Sequence, residues 1–177
     1  MKTLTLYLTA ILLVTFSASP VSAKTLPPAL PFSLDELAHG IQTPQGLAQF
    51  MQTNLEFADD KDLFGTEDYW QTPEQFWELR AGDCEDYALL SHYVLTKLGY
   101  ESYVVSIYDD KLYAHTITVF KDTNGFNVIN EDHLYRYGSK RLEDVLTLTY
   151  PGWTWGGIAE LRGTRGWMTK KLNHARG

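Results

Sequence analysis

Gly82-Asp83-Cys84-Glu85-Asp86-Tyr87-Ala88 is the run on which the reading of this chain turns. It holds the only cysteine, and it stands where a loop gives way to a strongly helical stretch, Tyr87 to Leu98. Asp83 suits an N-cap, and Asp86 follows three positions later in the first turn. The spacing therefore predicts Cys84 at the first helical position. There the partial positive charge of the helix N-terminus favours a thiolate, the nucleophilic form of the side chain. The three neighbouring carboxylates act in the opposite sense, because like charge raises a thiol pKa. An imidazolium or another cation is needed nearby to keep the sulfur ionised.

Upstream, Thr72-Pro73-Glu74-Gln75 is a helix start: a cap, a proline at the first position, and a glutamine at the capping-box position. That helix is expected to run to about Leu79 and to bury Phe76, Trp77 and Leu79. Two earlier starts are Ser33-Leu34-Asp35-Glu36 and Thr43-Pro44, the second followed by Leu47, Phe50, Met51 and Leu55 at helical spacing. Between them and the third start, Phe57 to Tyr69 carries Asp59, Asp60, Asp62, Glu67 and Asp68. It reads as an acidic surface loop; the alternative is a calcium loop, although the full ligand spacing of an EF-hand is lacking.

Downstream, Leu89, Leu90, Tyr93, Val94 and Leu98 form an apolar helix face, and Gly99 stops it. Tyr103 to Tyr108, Tyr113 to Phe120 and Phe126 to Ile129 then read as strands, joined through Asp109-Asp110-Lys111 and Asn124-Gly125. An antiparallel sheet with one face on the cysteine helix follows. Arg141 to Leu148 is expected to form a last helix. The aromatic, glycine-rich segment Tyr150 to Gly157 is expected to pack rather than to line a cleft, and the sequence assigns no element beyond it.

Residues 1–23 have the form of a secretory signal: Lys2, an apolar Leu4 to Phe16, and a small-residue cleavage site at Val21-Ser22-Ala23. The apolar run is too short, and too closely followed by Pro20, to favour a membrane span; the alternative is a retained N-terminal anchor. Residues 24–177 suit one domain, opened by a Pro-rich lead-in to Pro31. Loss of the signal, whose one charge is Lys2, takes the net charge from −7 to −8, which argues against nucleic acid as a partner. An exported chain with a single cysteine forms no internal disulfide, so Cys84 is a nucleophile, a buried apolar thiol or half of an intermolecular bridge.

His115, on the second strand, is the candidate base, and Asn130, just past the third, can pair next to it. A thiol at a helix N-terminus, a strand histidine and a group to fix its tautomer are what thiol catalysis requires. Of the other histidines, His39 and His174 read as solvated, His92 lies two turns from Cys84, and His133 sits in a polar turn beside Asp132. They form no recognisable zinc spacing with one cysteine.

Tyr69-Trp70-Gln71-Thr72-Pro73-Glu74, the Gly82–Ala88 run, Leu98-Gly99 and Ala114-His115-Thr116-Ile117 together resemble the transglutaminase-like superfamily, within it the bacterial transglutaminase-like cysteine proteinases. The resemblance implies an α+β, papain-like core with the nucleophile at a helix N-terminus packed on an antiparallel sheet. It implies a triad of Cys84, His115 and a third member at Asn130, where the family usually has Asp, with Asp132 as the fallback. Asn orients an imidazole but adds no negative charge. The resemblance also places calcium at Asp83 and Glu85, where the alternative is that Asp83 only caps the helix and Glu85 is solvated; no cofactor is otherwise required. The oxyanion hole is expected from the Cys84 backbone N–H and one upstream donor, Trp70 or Gln71, although Trp70 is better suited to packing.

Three functions stay open on these residues. The first is an exported hydrolase of peptide or isopeptide bonds acting on a protein or peptide substrate. The second is a protein-glutamine acyltransferase using the same acyl-enzyme. The third is a non-catalytic binding domain on the same fold, with a calcium module as a variant.

Overall fold

The protein is described by a computed structural model over residues 32–173. The signal, its cleavage site, the lead-in to Pro31 and His174 lie outside the described residues. No described helix is long and apolar enough to cross a membrane.

The chain opens with α1 (Leu34–Gly40) and α2 (Pro44–Asn54). Ser33 and Glu36 close a capping box on α1, and Thr43 Oγ1 accepts the Gly46 N–H of α2 at 3.0 Å. Strand β1 (Glu56–Phe57) leads into α3 (Asp60–Phe64), so the acidic segment is not a plain surface loop. After α4 (Pro73–Leu79), boxed by Thr72 and Gln75, the chain turns through Arg80 into β2 (Ala81–Gly82), which pairs in parallel with β1. The cysteine helix is α5 (Cys84–Lys97).

Six strands follow, with one helix among them: β3 (Glu101–Tyr108), β4 (Ala114–Asp122), β5 (Gly125–Asn130), β6 (His133–Ser139), α6 (Leu142–Thr149), β7 (Trp155–Arg162) and β8 (Arg165–Asn173). They form one antiparallel sheet in the order β6-β5-β4-β3-β7-β8. The three strands read from the sequence are β3, β4 and β5, with ends that differ by at most two residues, and α6 begins one residue after Arg141. Strand β6 and the β7–β8 hairpin are additions.

Side chains alternate across a strand, so the sheet presents two faces, and both are buried. On one, Phe120 and Ile129 join Leu47, Met51, Phe76, Tyr87, Leu90 and Val94 of the helices. On the other, Val105, Ile117, Val119 and Val128 meet Val145 and Leu146 of α6, with Trp153. Helix α5 is also tied to β4 by a buried bond, Thr118 Oγ1 donating to the Ala88 carbonyl at 2.8 Å. Thr118→Val keeps the shape but leaves that carbonyl without this donor. It is expected to cost about 1 kcal/mol, read as a lower urea midpoint at unchanged slope.

The β7–β8 hairpin reaches back to the cysteine motif. Trp70 N–H donates to the Thr164 carbonyl at 3.0 Å. The Trp70 ring lies against Gly166, where an added Cβ would come within 2.2 Å of it. The stretch before α4 is thus clamped by the far end of the chain.

Candidate active site

Asp86 builds the loop that presents Cys84. Its Oδ1 accepts the Gln71 backbone N–H at 2.8 Å, and its Oδ2 accepts Gln71 Nε2 at 2.5 Å and the Asp83 backbone N–H at 3.3 Å. Gln71 Nε2 donates also to the Ala81 carbonyl at 3.0 Å. Gly82 is required beside this knot, because a Cβ there would stand 2.2 Å from Asp86 Oδ2. The local sequence thereby fixes Asp83 as the N-cap and Cys84 as the first residue of α5.

The half-buried Cys84 thiol donates to Glu85 Oε2 at 3.1 Å. Burial raises its pKa far above that of a free thiol, and the Glu85 carboxylate adds to the effect. A backbone hydrogen bond from Thr116 pulls the other way and sets the sulfur beside strand β4, next to His115.

His115 stands near the start of β4, opposite Ile107. Its Nε2–H donates to Asn130 Oδ1 at 2.8 Å, which leaves Nδ1 as the proton-accepting nitrogen. Asn130 ends β5, and its Nδ2 donates to the Tyr150 hydroxyl at 3.2 Å. The Tyr150 ring packs on the imidazole with centroids 4.9 Å apart. Asp132 instead pairs with His133.

His115 also lines a cleft of about 310 Å³ with Tyr108, Tyr113, Tyr150, Pro151 and Trp153. The segment from Tyr150 therefore divides, contrary to the packing expectation. Tyr150 and Pro151 face the cleft, and Trp153 borders it while remaining buried in the core beneath. Tyr150 is the residue the sequence reading missed as part of the site; its position follows from the end of α6, which no local pattern encodes.

The two upstream oxyanion candidates are corrected by their bonding. Trp70 directs its indole N–H to Asp68 Oδ1 at 3.0 Å and its backbone N–H to Thr164. Gln71 is fully buried, with its side-chain and backbone donors on Asp86 and Ala81. Neither offers an N–H to a developing oxyanion. Among the described residues the other histidines are engaged elsewhere: His39 bonds the Asp35 carbonyl, His92 meets Ser102 Oγ, and His133 pairs with Asp132.

Beside the sulfur, Asp83 and Glu85 are joined by Asp60 and Asp68. Oxygens of Asp60, Asp68 and Glu85 lie within 4.8 Å of one another, as do ligand atoms of Asp83, Cys84 and Glu85. Asp60 is 2% exposed; its Oδ2 accepts the Tyr69 N–H at 2.5 Å, and its Oδ1 has no partner. Asp83 Oδ1 is likewise buried without one. Burial raises the pKa of Asp60 to about 6 and of Asp86 to about 7, and also raises those of Asp83 and Glu85. Several hard oxygens, two of them orphaned, fit a calcium ion, which takes six to eight oxygen ligands. Asp86 is committed to Gln71, so Asp60, Asp68, Asp83 and Glu85 are the donors this arrangement offers. Asp60 could not be picked out among five acidic residues by sequence alone.

No curated protein matches the chain. Among solved structures, calcium-bound LapG of Legionella pneumophila is similar at 15% identity and a TM-score of 0.43, over 82% of this chain and 93% of that one. A Cytophaga hutchinsonii chain shows 15% identity and a TM-score of 0.45 over 58% of this chain, which spans only 37% of its length. The periplasmic domain of TgpA from Pseudomonas aeruginosa shows 20% identity and a TM-score of 0.39, over 55% and 41%. Residues 33–133, more than half of the chain, match the bacterial transglutaminase-like cysteine proteinase family, and they carry every residue of the site described except Tyr150 and its neighbours in the cleft wall. The chain belongs to that family: it is a transglutaminase-like cysteine peptidase with an α+β, papain-like core.

Proposed function

We infer that the chain is an exported hydrolase of peptide or isopeptide bonds, in which Cys84 is the nucleophile, His115 the base and Asn130 its orienting partner. The observation that carries this reading is the 2.8 Å bond from His115 Nε2 to Asn130 Oδ1. It directs Nδ1 away from Asn130 on the strand that touches the sulfur. His115 Nδ1 takes the thiol proton as the sulfur attacks the substrate carbonyl. The tetrahedral adduct collapses, its C–N bond breaks, and His115 returns the proton to the leaving amine. A water then gives its proton to His115 and attacks the thioester, releasing a carboxylic acid and restoring the thiol. The Cys84 backbone N–H, at the start of α5, is one donor toward the oxyanion.

The secretory signal supports residues 24–177 as one exported domain, periplasmic or secreted, acting on protein substrates. Calcium is the cation proposed for Asp60, Asp68, Asp83 and Glu85. When bound, it supplies positive charge that offsets the carboxylates around the sulfur.

The test is hydrolysis of unfolded casein in calcium buffer, before and after alkylation of Cys84, with ¹⁸O-water and a labelled amine as competing acceptors. Cleavage that stops on alkylation and places ¹⁸O in the new carboxyl termini is the expected result. Amine incorporation without ¹⁸O assigns acyl transfer instead. Cleavage that survives alkylation, or the absence of any Cys84-dependent reaction, overturns the reading.

A further inference from the structure

We propose that Tyr150 is a positioning residue of this site, acting through its hydroxyl on Asn130 and thereby on the His115 ring. The inference rests on the reading of Cys84, His115 and Asn130 given above.

The need for such a residue arises from the chemistry of asparagine. A carboxylate at position 130 could bond an imidazolium through either oxygen, with charge to strengthen the contact. The amide has one acceptor and two donors, so it serves His115 only while Oδ1 faces the ring. Turned over, it presents N–H to Nε2 and favours the tautomer that carries the proton on Nδ1. In that tautomer the ring has no lone pair left on Nδ1 to take the thiol proton.

The structure supplies an anchor at the far end of the amide. Asn130 Nδ2 donates to the Tyr150 hydroxyl at 3.2 Å while Oδ1 accepts from His115 at 2.8 Å. Tyr150 is itself held firmly. It caps α6, with its N–H on the Leu146 carbonyl at 2.8 Å, and its own carbonyl accepts the Trp153 N–H at 3.0 Å. Leu146 and Trp153 are buried in the core beneath. Burial pushes the phenol up to about 12, so it remains a neutral hydroxyl at any working pH. The ring, tilted 52° to the imidazole, covers one side of it and limits the water that could compete for the His115–Asn130 bond.

Tyr150→Phe keeps the ring and removes only the hydroxyl, so it separates positioning from cover. Turnover is measured for Tyr150→Phe, Asn130→Asp and the double variant, together with ¹⁵N NMR of the His115 ring. The expected loss for Tyr150→Phe is about tenfold in kcat with KM nearly unchanged, the size of one neutral hydrogen bond lost at the transition state. In the Asn130→Asp background the same change is expected to cost less than about threefold, because the carboxylate orients the ring unaided. The His115 spectrum is expected to show a dominant Nε2–H form in the wild type and a mixture in Tyr150→Phe. Equal losses in both backgrounds, a change confined to KM, or an unaltered His115 spectrum overturns the proposal. If the wild type shows no Cys84-dependent turnover, the hydrolase reading fails, while the spectra still decide whether Tyr150 positions the ring.

Discussion

Cys84→Ala is expected to lose at least about 10⁴-fold in turnover while its melting temperature stays within a few degrees of the wild type. The chemical half of this expectation follows from the inventory of nucleophiles. There is one sulfur in a cysteine side chain in the whole sequence, and it stands beside the strand carrying His115. An alanine cannot form the acyl-enzyme, and what remains is whatever substrate binding and the backbone donors achieve with water. The structural half follows from the helix start. Position 84 is half-buried at the first turn of α5, where alanine fits without strain. The loop around it is held by Asp86, Gln71 and Ala81, not by the sulfur. Removal of the thiol forfeits its weak bond to Glu85 and the one it accepts from the Thr116 backbone. His115→Ala is expected to approach the same loss, because groups that act as a unit are not additive. Residual activity above about 1% in Cys84→Ala, measured with an unchanged far-UV spectrum, would sink the nucleophile assignment.

The parts of this molecule legible in the sequence are those decided within a few residues. Ser33, Thr43, Thr72 and Asp83 are caps with their partners three positions on, and each begins a helix where the spacing says it should. Asn124-Gly125 sets a tight hairpin, which brings β4 and β5 into register and Asn130 within reach of His115. What was hidden depends on distant chain. Strand β7 carries Gly156 and Gly157, residues that weaken a strand pattern. They are needed there because a Cβ would meet the Ser106 carbonyl at 2.6 Å and the Met168 side chain at 2.4 Å. The same hairpin clamps Trp70, so that its apparent availability as an oxyanion donor vanishes once the fold closes. Asp60 shows the same limit from the other side. Among its acidic neighbours it looks solvated, and only the packing of α3 against the cysteine loop buries it.

The buried carboxylates lead to the second large effect. Without metal, the protein is expected to lose roughly 10 °C in melting temperature between pH 5 and pH 8, and calcium is expected to restore most of this at pH 8 but little at pH 5. Asp60 and Asp86 titrate near 6 and 7 in the folded chain, against an ordinary value of 3.8. Across that window the folded state holds protons that the unfolded state has released, so stability falls as pH rises. Their contribution is fully present below about pH 4, declines through the folded pKa values, and is flat above them. The two shifts together amount to several kcal/mol as an upper bound, and each kcal/mol moves a domain of this size by about 2–4 °C. Asp83 and Glu85 are raised by the same burial and steepen the slope. The calcium proposed for this cluster would bind the deprotonated set, so protons would compete with it, and its stabilisation is expected to grow with pH as the carboxylates ionise. Asp60→Asn removes the charge at the buried, orphaned oxygen. The variant should melt higher than the wild type at pH 8 in EGTA, show a shallower pH slope, and gain little from calcium. A melting temperature that is flat from pH 5 to pH 8, or a calcium shift as large at pH 5 as at pH 8, would show that these carboxylates are not the ionised, cation-binding cluster their burial describes.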